Sequence, residues 1–135
     1  MGTRRPRSVA HQAVVLDSGA LIAIERNDKK VRTLIELAYE HGRTLHVPAG
    51  VIAEVWRDGR RQARLSRLLA SSILVVRPLD REEAQAVGVI CGQSRQDDVI
   101  DASVILLARR FGARVVTSDL SDLRRLDSTI ELVGC

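Results

Sequence analysis

The chain has 135 residues, 45% of them hydrophobic and only 2% aromatic, which fits one domain with a core of Val, Ile, Leu and Ala. No apolar run approaches the about 18 residues of a membrane span, and the short run ending at Asp17 is too brief for a secretory leader, so a cytoplasmic protein without membrane attachment is expected. The net charge is +4, yet Arg4, Arg5 and Arg7 hold three of the 21 basic residues, leaving 18 against 17 acidic ones; the basic pI is therefore weak support for nucleic-acid binding.

Residues 1–12 read as a flexible basic tail and residues 13–135 as a single domain. Ala13 to Leu16 is a continuous apolar run, the pattern of a buried strand. Ser18 is placed to cap a helix over 19–25. Asp28 caps a second, to about Glu40, with Val31, Leu34, Ile35 and Ala38 on one face. Gly42 ends it. A short strand is expected at 45–47, and Pro48 suits the first turn of a helix carrying Val51, Ile52 and Val55. An arginine-rich helix is expected over 59–71 and a third strand over 73–76.

Asp80 and Glu83 have capping-box spacing and open a helix to about Gln93. Asp97 or Asp98 opens the next, whose apolar stripe is Ile100, Val104, Leu107, Ala108 and Phe111; Gly112 closes it. Residues 114–117 read as a β-branched strand, 120–125 as a short helix and 129–133 as a last strand. Strands alternating with helices imply a parallel sheet covered on both faces.

Several acids stand where a plain scaffold does not need them. Asp17 and Asp119 follow two apolar strands, and ligand crevices in parallel sheets lie beyond the carboxyl ends of strands. Either could instead be a helix cap. Glu54 borders the apolar face of its helix, and an acid there is costly without a partner. Asp101 shares its face with Val104, Ile105 and Ala108. Asp98, one turn earlier, is a second ligand or a cap, and capping is the favoured reading. Asp122 joins the cluster or caps the last short helix.

Carboxylates converging at one rim repel and raise one another's pKa, and a hard divalent cation relieves that repulsion. Mg2+, or Mn2+, suits an all-carboxylate set. His11, His41 and His46 are expected in tail or loop positions without ligand spacing. Cys91 and Cys135 read as one core and one tail cysteine, not a disulfide. A carboxylate-bound Mg2+ suits phosphate-ester chemistry and requires no protein nucleophile. No motif of a serine hydrolase, a P-loop, a dinucleotide fold or a zinc protease is present.

The segments VVLDSGALIA (14–23), VIAEVW (51–56), DASVILLA (101–108) and VVTSDLSDL (115–123) resemble PIN domains, particularly VapC-like toxins, in order and across nearly the whole domain. The resemblance implies a three-layer α/β/α fold with a central parallel sheet. It implies an acidic metal site of Asp17, Glu54, Asp101 and Asp119, with Asp17, Asp101 and Asp119 on the metal. Asp122 and Asp98 are then accessory acids, and Thr117 or Ser118 a polar neighbour. The activity implied is Mg2+- or Mn2+-dependent endoribonuclease cleavage that inhibits translation. The implied partners are an RNA substrate, a VapB-like antitoxin and a second copy of the chain.

Arg57, Arg60, Arg61, Arg64 and Arg67 recur at helical spacing and are expected on one face. That face meets RNA or an antitoxin, or is simply solvated. Trp56 beside it suits base stacking, the core or a dimer interface. Two alternatives remain: a degenerate PIN domain that only binds RNA or protein, and another Mg2+-dependent phosphohydrolase. Against the second, a haloacid-dehalogenase site needs Asp where Gly19 stands, and a receiver domain needs a later lysine than Lys29 or Lys30.

Overall fold

The computed structural model describes residues 13–135, so the basic tail over 1–12 lies outside the described residues. Five strands, β1 (Ala13–Leu16), β2 (Thr44–Pro48), β3 (Leu74–Arg77), β4 (Arg114–Thr117) and β5 (Leu132–Gly134), form one sheet in the order β3-β2-β1-β4-β5. Every pairing is parallel. Seven helices cover it: α1 (Ser18–Glu25), α2 (Lys29–Glu40), α3 (Ala49–Val55), α4 (Ala63–Leu69), α5 (Arg81–Ser94), α6 (Val99–Phe111) and α7 (Leu120–Leu126).

The central strand β1 is buried at all four positions, as a strand covered on both faces must be. On one side α6 packs against β1, β2 and β4, flanked by α5 and α7. Ala102, Val104, Ile105, Leu107 and Ala108 of α6 are buried, and each large side chain among them contributes about 1.5–3 kcal/mol. Gly112 then ends the helix in the left-handed region at φ +58. On the other side α1 packs against β1 and β4, surrounded by α2, α3 and α4. The chain leaves β1 toward β2 and β3 and returns on its other side as β4. Strand order therefore reverses between β1 and β4, where open α/β sheets place their crevice.

Several local expectations change. The first helix is capped by Asp17, not Ser18, through its bond from the Ser18 amide. The arginine-rich helix begins only at Ala63, because Gln62 turns back on the preceding loop. Its Oε1 accepts from the Arg57 and Asp58 amides at 2.8 and 3.0 Å, and its Nε2 donates to Glu25 and to the Val55 carbonyl, both at 3.0 Å. Arg57, Arg60 and Arg61 therefore do not share a helical face with Arg64 and Arg67. Arg57 instead folds onto the end of α3, donating to the Ala53 and Trp56 carbonyls at 3.0 and 2.7 Å.

Only half of the expected capping box forms. Asp80 accepts from the Glu83 amide at 2.9 Å, while the Glu83 carboxylate pairs with Arg110 at 2.8 Å. The last strand is shorter, beginning at Leu132. His46, grouped with the tail and loop histidines, lies within β2, the strand expected at 45–47, and is buried. Its ring stacks on Phe111 at 4.3 Å. Burial, then the nearby Arg77 charge, lowers its pKa and favours the neutral ring. Trp56 packs against the core. Cys91 and Cys135 are both free, the first half-buried and the second exposed.

Candidate metal centre

The site is built where β1 and β4 end side by side. Leu16 pairs with Val116, and the Asp17 amide continues the ladder by donating to the Val116 carbonyl at 3.1 Å. Asp17 is buried, and both carboxylate oxygens are engaged. Oδ1 accepts from the Ser18 amide at 2.8 Å, and Oδ2 from the Thr117 hydroxyl at 2.8 Å. Thr117, fully buried, also accepts from the Asp119 amide at 2.9 Å. A relay thus runs from the Asp119 backbone through Thr117 to Asp17 and fixes the two strand ends relative to each other.

The start of α6 delivers two more acids. Asp98 is the helix cap, its Oδ1 accepting from the Ile100 and Asp101 amides at 3.1 and 3.0 Å. Asp101, in the first turn, is buried at 9% exposure. Asp119 sits at the head of α7 without capping it, and Asp122 lies in the first turn of that helix. One carboxylate oxygen from each of Asp101, Asp119 and Asp122 lies within 4.8 Å of the other two. Among the described residues this is the one group of three potential metal ligands that meets so closely. Asp17 adjoins it through the Thr117 relay, and Glu54 stands exposed on α3 at its edge.

The electrostatics bind these acids into one field. Burial raises the Asp101 pKa to about 7, with the charges of Asp98, Asp17, Asp119 and Asp122 adding to it. Burial and the neighbouring Asp122 and Asp17 push Asp119 up. Burial, then Asp17 and Asp98, does the same to Glu54. Each of these acids is thus more easily protonated than in water, the signature of carboxylates lacking a counter-charge. Among the described residues only Asp122 of this group has a cation within 4.0 Å, Arg125 at 3.5 Å, and that pair is exposed. The donor set is wholly carboxylate, with no thiol or imidazole in the group. It fits a hard divalent ion such as Mg2+ or Mn2+.

Close packing holds the rim in shape. Gly19 lies so near Ser118 that an added Cβ would stand 2.8 Å from the Ser118 amide nitrogen. Ser118 itself is exposed at the mouth. Gln62 has no signal in the sequence: it lies among arginines in a polar stretch, and only its buried, fourfold-bonded state marks it as the staple at the end of the Glu54 helix.

Residues 14–128 match the family profile of the PIN domain, and the chain belongs to that family. Comparison with curated proteins gives no significant match. Among solved structures it is similar to VapBC2 from Rickettsia felis bound to a DNA fragment from their promoter, at 16% identity and a TM-score of 0.67, covering 91% of this chain and 98% of that one. FitAB bound to the IR36 DNA fragment gives 14% identity and a TM-score of 0.62, covering 90% and 94%. A toxin–antitoxin complex from Klebsiella pneumoniae gives 13% and 0.65, covering 89% and 95%. At such identities the likeness is one of fold. No helix among the described residues is long and apolar enough to cross a membrane.

Proposed function

We propose that this protein is a metal-dependent endoribonuclease, the toxin of a VapBC-type pair, which inhibits translation by cleaving RNA phosphodiester bonds. The observation that carries the reading is the convergence of Asp101, Asp119 and Asp122 within 4.8 Å beside the anchored Asp17. Asp17, Asp101 and Asp119 would hold Mg2+ or Mn2+, with Asp122 and Asp98 as accessory carboxylates. Bound there, the ion supplies Lewis-acid polarisation of a phosphate oxygen and a more acidic water. Glu54, exposed and more basic than an ordinary glutamate, takes up a proton at its carboxylate as water attacks. Thr117 holds Asp17 in place, and Ser118 offers a hydroxyl at the mouth.

A VapB-like antitoxin and a homodimer complete this reading, supported by the likeness of fold to toxin–antitoxin complexes. Arg60 and Arg61, exposed on the loop before α4, together with Arg57 and Arg64, are assigned to RNA or antitoxin contact. The test adds purified protein to total cellular RNA with Mg2+ or Mn2+. Cleavage is expected to disappear with chelator and in Asp17→Asn and Asp101→Asn. Cleavage that survives both controls would overturn the assignment.

A further inference from the structure

A cavity of about 240 Å³ lies between the α1–α2 turn and α4, lined by Ile24, Asn27, Asp28, Arg32, Arg64 and Arg67. Three arginines line it. None has a carboxylate within 4.0 Å among the described residues, whereas Arg61, Arg109, Arg110, Arg114 and Arg125 all do. Residues 1–12 contain no Asp or Glu that could pair with them. Arg32 donates to Asn27 Oδ1 at 3.0 Å and Arg64 to the Glu25 carbonyl at 3.3 Å, which leaves most of their N–H donors free. Asp28, the one acid in the wall, spends Oδ2 on the Val31 amide at 3.0 Å. Like charges crowded without compensation favour an anion, and planar guanidiniums grip phosphate through paired N–H donors.

The cavity is not isolated. Asp28 is also a wall of a second groove, about 370 Å³, lined by Gly19, Ile22, Ala23, Arg26, Ser118 and Cys135. Ser118 lies between Thr117 and Asp119, so this groove opens beside the acidic centre. The two hollows share Asp28, and Arg26 borders the one that reaches Ser118. We propose that the Arg32–Arg64–Arg67 cavity is a phosphate subsite that grips a single RNA strand away from the bond being cut. The identity of the strand rests on the ribonuclease reading. A polyanion is repelled where the acids crowd, so its hold must come from cations further along.

The experiment measures fluorescence anisotropy of the whole protein in chelator with uncleavable 2′-O-methyl oligoribonucleotides. One is short, about 3 nucleotides, and one long, about 12, each titrated over a range of salt. Wild type should bind the long strand more tightly. The triple change Arg32→Ala, Arg64→Ala, Arg67→Ala should abolish the gain with length and make the slope of log affinity against log salt shallower by about 2. Arg67→Gln alone, at a side chain with no hydrogen bond among the described residues, should reduce it by roughly 0.7. The triple lysine variant should keep most of the slope. Unchanged slope and length gain in both the triple alanine and Arg67→Gln variants would overturn the subsite. So would a wild-type protein that ignores RNA yet binds a polyglutamate peptide. Since neither metal nor cleavage enters, binding without any nuclease activity removes only the ribonuclease reading. Cleavage with unaltered binding in the variants removes only the subsite.

Discussion

The Thr117 hydroxyl donates to Oδ2 of Asp17 across 2.8 Å, joining residues 100 positions apart, and accepts the Asp119 amide at 2.9 Å. One buried side chain thereby sets the spacing between two acids delivered by neighbouring strands.

Thr117→Val keeps the shape and strand preference of that residue but strands one carboxylate oxygen and one amide. A loss of about 1–3 kcal/mol is expected, or roughly 3–10 °C in melting temperature, together with weaker RNA cleavage. Urea and thermal melts of the two proteins, run side by side, check this. Coincident curves would show that the hydroxyl holds nothing together.

The crowded acids make stability depend on pH in a defined direction. Asp101 has its pKa at about 7 in the fold against 3.8 ordinarily. Between those values the folded form binds more protons than the unfolded one, so stability falls as pH rises and levels off above about 7. Glu54 and Asp119 are shifted the same way. His46, whose lowered pKa works in the opposite direction over this range, is removed by His46→Gln, and in that background metal-free protein should melt at a higher temperature near pH 5 than near pH 8. Asp127 acts oppositely: burial disfavours its charge, but bonds from Thr129 and Arg109 outweigh that and lower its pKa. Its contribution is lost only in more acidic solution. A melting temperature that climbs from pH 5 to pH 8 in chelator in the His46→Gln background contradicts the crowding of the site.

Asp101→Asn removes one of the clustered charges without changing side-chain shape. In chelator at pH 8 the variant should be more stable than wild type by on the order of 1–3 kcal/mol, with the gap narrowing toward pH 5. Added Mg2+ should stabilise wild type and leave the variant nearly unmoved. Asp17→Asn is not equivalent, because both Asp17 oxygens already accept bonds and an amide replaces one acceptor with a donor. Calorimetry with and without the ion separates the two variants; a metal response intact in Asp101→Asn would exclude that carboxylate as a ligand.

Gln62→Leu is predicted to be the costliest of these changes to the scaffold. It leaves the Arg57 and Asp58 amides, the Val55 carbonyl and Glu25 without their shared partner. Unsatisfied buried groups of this kind cost about 1–3 kcal/mol each, and water recovers part of it at the rim. A total of about 2–4 kcal/mol by urea denaturation is expected, with faster hydrogen exchange across 56–62. Exchange confined to its wild-type rate would mean the loop is held by something else.

The alternation of apolar strands and amphipathic helices is readable because β1, β2 and β4 are buried on both faces and the helices pack one face on the sheet. Val14 to Leu16 and Val115 to Thr117 announce themselves by composition alone, and so do the acids that follow them. What the sequence conceals is pairing at a distance. Nothing near Thr117 indicates that its hydroxyl meets Asp17, and nothing near Gln62 shows that its amide competes with helix formation by binding the loop amides before it. The arginine spacing over 57–67 therefore looked helical throughout, although only its second half is. Asp101 was legible as an acid on an apolar face. Its closeness to Asp119 and Asp122 became visible only once α6 and α7 were brought to the same rim.

The order in which the chain is made follows from the place of β4. Asp17 is synthesised early, but its neighbour across the sheet is encoded 100 residues later. A ribosome translating this message therefore holds, through the residues between them, a nascent chain whose acids have not met. The acidic cluster closes only once β4 and the head of α7 have been made and have reached the end of β1.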